Sequence, residues 1–393
     1  MTRVLLVPDL PLERWPAMDR YANRLHDWLE STGPGFEVRL AGSIGELTRE
    51  RKGRRGALLR FWTQPVDASR IVLPGPLHLP HQYAARYFFY PLRLRRESRR
   101  ADLVHILDHA YAHLRLSARR TPAVVTVHDL MPVIELRTER SGWEARLRHR
   151  ALRRSLRALR RAERFIVGTE WLKGELATWL GDDARIRVVP FGVDRSFFIE
   201  SPGGRERARE RWRLPQEALV VLHVGSTVER KNVPLVIETL ARLRAESADA
   251  HLLQIGGRLT TAQEDLASRL GVRPCVRVVA SADETSLRAA YRAADVLLFP
   301  SLYEGFGYPV LEAFASGLPV VTSGAGGLKE VGGEATMVVS RRDAGAFVEA
   351  ILSLGEDEDH RDLLIERGRV RARQFSWQKT AEKTAEVYRE LIQ

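Results

Sequence analysis

Along the chain, short apolar runs alternate with longer segments whose apolar residues recur at helical spacing. In the first half the runs Val4–Pro8, Phe36–Leu40, Arg70–Leu73, Leu103–Leu107, Ala123–Val127, Phe165–Val167 and Ile186–Val189 are expected to be strands. Helices are expected over Ala17–Glu30, His81–Arg96, Trp143–Arg161 and Glu170–Leu180, and a basic, glycine-containing loop over Arg49–Gly56. The alternation breaks at Val189-Pro-Phe-Gly-Val-Asp194, and the polar stretch from Ser201 to Arg211 reads as a connector. It then resumes with strands near Ala218–Val224, His251–Ile255, Val276–Val279, Val296–Phe299 and Pro319–Thr322. The helices between and after them are Asn232–Glu246, Thr261–Leu270, Glu284–Ala293, Pro309–Ser316 and Asp343–Leu354. Strands alternating with amphipathic helices predict an α/β fold of parallel sheets covered by helices. No short repeat is visible, so the pattern predicts two α/β halves joined near residues 195–215, taken as residues 1–200 and 201–375, ahead of the closing stretch 376–393.

Composition supports the division. A chain of 393 residues, 44% hydrophobic, exceeds what one core usually fills. Cys275 is the only cysteine, so no intrachain disulfide is possible and no oxidising compartment is needed. The opening MTRVLLVPDLP meets Asp9, Glu13 and Arg14 too early for a signal peptide, and no run of about 18 apolar residues occurs. A cytoplasmic protein, peripheral on the membrane's inner face at most, is the expectation.

The net charge is +12, nearly all of it from arginine, and it is clustered at Arg93–Arg100 and Arg146–Arg164. Leu147, Leu152, Leu156 and Leu159 give the second cluster one apolar helical face. Such a helix either packs on its own domain or rests on an anionic membrane surface. No groove-reading or base-stacking motif accompanies the charge, so nucleic acid is not an expected partner.

The chemistry concentrates in Phe299-Pro-Ser-Leu-Tyr-Glu-Gly-Phe-Gly-Tyr-Pro-Val-Leu-Glu-Ala-Phe-Ala-Ser-Gly-Leu-Pro-Val-Val-Thr322. A strand ends in a loop holding Gly305 and Gly307, and Pro309 suits the first position of the following helix. Residues without Cβ let a ligand approach the backbone, and free N–H groups at a helix start favour phosphate. Gly317 and Pro319 stop the helix. Glu304 in the loop and Glu312 in the first helical turn would repel phosphate, so each is expected to face neutral hydroxyls of a ribose or a sugar. The plainer alternative makes Glu312 a partner of the helix dipole and Glu304 a solvated loop acid.

Glu304 and Glu312 match the Glu-x7-Glu motif of glycosyltransferase family 4, and the wording between them is close to that family's. The resemblance extends to His223-Val-Gly-Ser-Thr-Val-Glu-Arg-Lys-Asn232, to Thr322-Ser-Gly-Ala-Gly-Gly-Leu-Lys-Glu330, and to Phe375-Ser-Trp-Gln-Lys-Thr-Ala with its closing helix. It covers residues 218–393 almost completely. Over residues 1–195 it rests on strand order, His128-Asp129, Thr169-Glu170 and Pro190-Phe-Gly-Val-Asp194.

The resemblance implies the GT-B fold, two Rossmann-like domains facing across a cleft. It implies an acceptor-binding first domain, a donor-binding second domain and a C-terminal helix crossing back to the first. The implied activity is retaining transfer of a sugar from a nucleotide-diphosphate sugar to an acceptor hydroxyl, in polysaccharide or glycoconjugate synthesis. Glu304, His128 and Lys231 would be catalytic. Gly225, Ser226, Arg230, Lys231, Glu304, Gly305, Phe306, Gly307, Tyr308, Pro309, Val310 and Glu312 would bind the donor. Lys231 and Arg230 would neutralise the leaving diphosphate, Glu304 would hold the sugar, Glu312 the ribose, and His128 the sugar from the other wall.

Two departures stand out. Ser226 occupies a position that is often arginine in the family, and the loop after the first strand is bulky rather than glycine-rich. Arg14, Trp15, Met18 and Asp19 are therefore acceptor candidates. Asp357-Glu-Asp359 has the wording of a metal motif but no preceding strand, and Arg230 and Lys231 can take a cation's place, so no metal or other cofactor is expected. A non-catalytic sugar-nucleotide or membrane-surface binding module, or a related epimerase or phosphorylase, are the competing readings.

Overall fold

The computed structural model describes residues 1–10, 16–32, 35–41, 84–135, 143–199, 203–246, 249–340 and 343–392. The expected strand at Arg70–Leu73, the loop at Arg49–Gly56, and Arg14 and Trp15 lie outside them. The chain forms two compact units: Met1–Gly168, Lys173–Pro190 and Trp377–Gln393 in the first, Thr169–Leu172 and Phe191–Ser376 in the second. The division thus falls at Pro190, earlier than the expected boundary at residue 200. Aromatic packing explains why Phe191 goes with the second unit: its ring stands 4.9 Å from Phe306 and stacks 5.8 Å from Tyr308.

The first unit is built on β1 (Thr2–Val7), β2 (Phe36–Leu40), β3 (Leu103–Ile106), β4 (Ala123–Val127), β5 (Arg164–Val167) and β6 (Ile186–Val188). They form one parallel sheet in the order β2-β1-β3-β4-β5-β6. Strands buried on both faces read as continuous apolar runs, and Val4–Val7 and Ala123–Val127 are buried along their length. Around them lie α1 (Pro16–Thr32), α2 (Tyr90–Glu97), α3 (Met131–Glu135), α4 (Trp143–Leu159) and α5 (Glu170–Leu180). The 3-10 segment His109–Leu116, which periodicity does not signal, follows β3.

The second unit holds α6 (Gly204–Trp212), β7 (Leu219–Val224), α7 (Val233–Ala245), β8 (Ala250–Ile255), α8 (Thr261–Arg269), β9 (Val276–Val279) and α9 (Glu284–Ala293). They are followed by β10 (Val296–Phe299), α10 (Tyr308–Ala315), β11 (Val320–Thr322), α11 (Leu328–Gly332), β12 (Met337–Val338), α12 (Ala344–Glu356) and α13 (Glu358–Arg373). Its strands run parallel in the order β12-β11-β10-β7-β8-β9. The two-residue edge strand β12 is too short to show in a pattern of alternation. Asp357 begins α13 by accepting the His360 amide at 2.8 Å, and Asp357, Glu358 and Asp359 are all exposed.

The last helix, α14 (Trp377–Ile392), belongs to the first unit. Its Tyr388 hydroxyl lies 2.6 Å from His105 Nδ1, whose Nε2 is 2.8 Å from Thr126 Oγ1, and Thr126 meets the Tyr21 hydroxyl at 3.0 Å. Glu390 pairs with Arg164 and Arg187 at 3.1 and 2.9 Å. No helix among the described residues is long and apolar enough to cross a membrane.

Candidate functional site

In an open parallel sheet the ligand crevice forms beyond the carboxyl ends of two neighbouring strands whose connections lead away in opposite directions. In the second unit those strands are β7 and β10. Gly225 follows β7 and Pro300 follows β10, so the two loops that carry the candidate donor residues meet at this switch point. The Leu302 amide donates to Arg230 O at 2.7 Å, tying the loops together. Asn232 turns the first loop into α7 with φ 55, a left-handed conformation that its short polar side chain tolerates.

Here Lys231 and Glu304 form a buried ion pair. Lys231 Nζ lies 2.5 Å from Glu304 Oε1, and each residue is 7% exposed. Arg230 Nη1 reaches Glu304 Oε2 at 3.2 Å, and the Lys231 ammonium stands 4.7 Å from the centre of the Phe299 ring. Burial alone would raise the Glu304 pKa, but Lys231 and then Arg230 outweigh it and hold the carboxyl below its usual value. Glu304 is therefore not the solvated loop acid of the plainer alternative: at 7% exposure it faces two cations, because an unpaired carboxylate at this depth is costly.

Gly307 is the N-cap of α10 at φ 106, and a Cβ there would lie 2.5 Å from Leu328 Cδ2, so this turn requires glycine. The helix starts at Tyr308, with Pro309 second rather than first. Glu312 is consequently beyond the first turn and is not the dipole partner that the plainer alternative made it. It is 3% exposed and accepts a hydrogen bond from the Tyr291 hydroxyl at 2.8 Å.

Further contacts fix the glycine loop. The Gly327 amide donates to Glu304 O at 2.8 Å and the Thr169 hydroxyl donates to Gly305 O at 2.8 Å. A Cβ at Gly327 would stand 2.5 Å from Gly305 O. Glu330 accepts the Glu170 and Trp171 amides at 3.0 and 3.1 Å. Behind Gly225, the Gln254 amide donates to its carbonyl at 2.9 Å, and His223 Nδ1 holds Gln254 Oε1 at 2.7 Å. Gly225, Ser226, Arg230, Lys231, Glu304, Gly305, Phe306, Gly307, Tyr308, Pro309, Val310 and Glu312 all belong to this one unit.

In the first unit the switch point lies between β1 and β3. Beyond β3 stands a charged group that the sequence reading missed. His109 is buried with Nδ1 3.1 Å from Asp108 and Nε2 3.5 Å from Asp129. Burial would lower its pKa, but Asp108 and Asp129 outweigh it and raise it to about 10. The only sequence signal was Asp108-His109 directly after an apolar strand. His128, at the end of β4, donates from Nε2 to Leu107 O at 2.9 Å and meets the Tyr21 ring edge-on at 5.0 Å. Burial lowers its pKa. Met18 and Asp19 lie in α1, half-buried, and burial raises the Asp19 pKa.

Buried histidines set the acid limit of the fold. Burial holds His105 at about 3 and His113 at about 4, and burial with the nearby Lys231 charge holds His223 at about 4. Unfolded imidazole titrates near 6.5. Between these values the unfolded chain binds more protons, so stability rises with pH. The thermal midpoint is expected to fall as pH drops from about 6.5 to 4, with up to about 3 kcal/mol lost per histidine. The raised His109 works oppositely: its contribution is complete below about 6.5 and is lost as pH climbs toward 10. Scanning calorimetry across the acid window checks this, and a flat midpoint there would show that these rings are not held neutral.

Residues 18–197 match the family model described as Glycosyltransferase Family 4, and residues 204–371 match that described as Glycosyl transferases group 1. A D-inositol 3-phosphate glycosyltransferase of Salinispora tropica is 31% identical over 381 residues, 91% of this chain and 73% of that protein. One from Corynebacterium kroppenstedtii is 34% identical over 245 residues, 59% of this chain; the match spans only 54% of that relative's length. Among solved structures, sucrose-phosphate synthase from Thermosynechococcus elongatus superposes with a TM-score of 0.72 at 22% identity, over 100% of this chain and 99% of that one. Anabaena HepE in complex with UDP-glucose gives a TM-score of 0.71 at 16% identity, over 99% and 100%. At such identities the likeness is one of fold.

Proposed function

The chain belongs to glycosyltransferase family 4 and has its GT-B fold, and from that membership we propose that it transfers a sugar, with retention, from a nucleotide-diphosphate sugar to an acceptor hydroxyl. The observation that carries the proposal is the buried Lys231–Glu304 pair with Arg230 beside it, at the switch point and next to the glycine-capped start of α10. On donor binding, Lys231 and Arg230 exchange the Glu304 carboxylate for the diphosphate. Glu304 then accepts hydrogen bonds from the transferred sugar, and Glu312, oriented by Tyr291, accepts them from the ribose.

Charge builds on the diphosphate as the bond from the anomeric carbon to the phosphate oxygen breaks, and fixed cations stabilise that charge most. The acceptor oxygen forms its new bond to the anomeric carbon on the face being vacated, and its proton passes to the departing phosphate oxygen. Lys231 and Arg230 do a divalent cation's electrostatic work, so the reaction proceeds without a metal or other cofactor. In the first unit, His128 bears on the donor sugar, and Met18 and Asp19, with Asp108 and His109 beyond β3, serve the acceptor. An anionic membrane surface on the cytoplasmic side is the second partner, for the arginine-rich segments of that unit.

Calorimetry with UDP, GDP, ADP and dTDP, followed by the matching sugar nucleotides, tests this. One base should bind, and its sugar nucleotide should hydrolyse slowly alone and turn over faster with an acceptor. D-inositol 3-phosphate, named in the relatives above, is the first acceptor to try. NMR of the product should show the donor's anomeric configuration kept. Binding without turnover of any donor would favour a sugar-nucleotide binding module instead.

A further inference from the structure

Near the carboxyl ends of β7 and β8 the paired positions are apolar, Val221 against Leu252, Leu222 against Leu253 and Val224 against Ile255, with one exception. His223 lies opposite Gln254, and neither has any exposed area. Two polar side chains in an apolar layer cost stability unless their hydrogen bonds are made. What they hold is the loop that follows β7. Gln254 Nε2 donates to Gly225 O at 2.9 Å and to Ile255 O at 3.3 Å, and Gln254 Oε1 lies 2.7 Å from His223 Nδ1.

These contacts allow one arrangement. A carboxamide nitrogen has two protons and accepts nothing, and here both protons face carbonyls, so the carboxamide oxygen is the atom turned to His223. The ring therefore donates from Nδ1. Burial and the Lys231 charge hold His223 at about 4, so at neutral pH the ring has a single proton and Nδ1 carries it. Were the carboxamide to turn over, its oxygen would stand against two carbonyl oxygens.

The Gly225 carbonyl and the Ser226 N–H belong to one peptide, and in a trans peptide they point in opposite directions. Gripping the carbonyl thus aims the N–H away from Gln254. Among the described residues the Ser226 amide meets no acceptor. The rest of the loop is held from the same strand end. A Cβ at Gly256 would stand 3.2 Å from Gly225 O, and one at Gly257 would stand 3.1 Å from the Thr227 amide nitrogen. The Thr227 hydroxyl donates to Arg258 O at 2.7 Å, and Gln263 Nε2 donates to Thr227 O at 3.1 Å. Gly225 also rests on the Lys231 stem, where a Cβ would lie 3.2 Å from Cε.

We propose that His223 and Gln254 are positioning residues for the donor diphosphate: together they fix the Gly225–Ser226 peptide so that the Ser226 N–H meets a phosphate oxygen. This role rests on the donor-site reading above and deepens it. Ser226 brings no charge, so at this point the loop offers a diphosphate only N–H and hydroxyl groups, whose strength depends on direction. A fixed N–H needs no reorganisation when charge builds on the leaving group.

The test is calorimetry of the full chain with UDP, GDP, ADP and dTDP, continued on the variants with whichever binds. Gln254→Met keeps the length of the side chain and loses the donor. It should weaken diphosphate binding roughly 10- to 100-fold, the range for one hydrogen bond to a charged group. His223→Leu frees the carboxamide to turn over and should act in the same direction, by at least about fivefold. In His223→Asn the side-chain nitrogen takes the place of Nδ1 and still donates to Gln254 Oε1, so affinity should stay within about threefold of the parent. Both variants lose the ring that stacks 6.1 Å from Phe299. Asparagine, smaller and polar, should be the less stable of the two, so a purely structural role would make it the weaker binder. Thr239→Val deletes a buried hydroxyl bonded within α7, and should lower the thermal midpoint while leaving affinity within about twofold.

A Gln254→Met chain that binds the diphosphate like the parent would overturn the assignment. So would His223→Asn binding no better than His223→Leu, or Thr239→Val binding as weakly as either. Should Gln254→Met fail to fold, the two His223 variants decide. A parent that binds none of the four diphosphates sinks the transferase reading and this role with it. A parent that binds one and turns over its sugar nucleotide, while the variants bind unchanged, sinks the positioning role alone.

Discussion

Lys231→Met is expected to lower donor turnover by roughly three orders of magnitude, the upper range for removing one fixed group that stabilises developing charge. The ammonium has two duties that the variant separates. Without a donor it neutralises Glu304 at 2.5 Å in a place where both are 7% exposed. With a donor it would serve the leaving diphosphate.

Removing one partner of a buried pair leaves an uncompensated charge, at about 3–5 kcal/mol. Arg230 at 3.2 Å offsets part of it. Lys231→Met should therefore be both inactive and less stable. Lys231→Met/Glu304→Gln removes both charges and should recover most of the stability while staying inactive. Chemical denaturation and single-turnover donor cleavage read the two effects separately. If Lys231→Met kept turnover within tenfold of the parent, the proposed role of this lysine would be wrong. If the double variant were no more stable than the single one, the ion pair would not account for the loss.

Arg209→Met is expected to cost about 3–5 kcal/mol of stability, lowering the melting midpoint by roughly 10 °C. Sequence alone makes Arg209 one more charge in the polar stretch after the first unit. In the fold it is the largest fully buried side chain among the described residues, with no exposed area. Its Nη2 pairs with Asp295 at 2.7 Å, and its Nε donates to Ala293 O at 3.0 Å. Nη1 donates to Pro215 O at 3.1 Å and Ala218 O at 3.0 Å, and it also meets Gln216 O.

The methionine side chain matches the volume but satisfies none of these carbonyls, and each buried acceptor left alone adds its desolvation cost. Arg205 still reaches Asp295, so the remaining charge keeps a partner. Denaturant titration against Arg207→Met, on the same helix α6, separates lost bonding from lost helix propensity. A cost below about 1 kcal/mol would mean that water replaces the bonds.

Much of the second unit was legible because its signals are local. Val296–Phe299 coincides with the expected strand, since a strand covered on both faces reads as an unbroken apolar run, and the edge strand Val276–Val279, interrupted by the exposed Arg277, coincides as well. The glycine loop and its two acids were equally visible, because Glu304, Gly307 and Glu312 are close in sequence. The first unit was read with less success at its chemistry. Asp108 and His109 follow β3 directly, but an acid-histidine dipeptide carries no periodicity, and its meaning depends on Asp129 arriving from the next strand's end.

By itself, then, the amino-acid sequence determined most of the strands and the longer helices between them, where the apolar faces lie, and which family the donor loops resemble. Local pattern suffices for these, because burial and backbone preference act over a few neighbouring residues. It did not reveal α6, whose polar residues read as a connector, or the edge strand β12. Only the tertiary structure decided the partners. It set Lys231 against Glu304, Tyr388 against His105, and Tyr291 against Glu312. It moved the start of α10 to Tyr308, and it hid Leu156 and Leu159 of α4 while leaving Phe88 and Leu92 in the open. A charge or a ring takes its meaning from what faces it. That follows from which strand ends are neighbours in the sheet, and no stretch of sequence contains it.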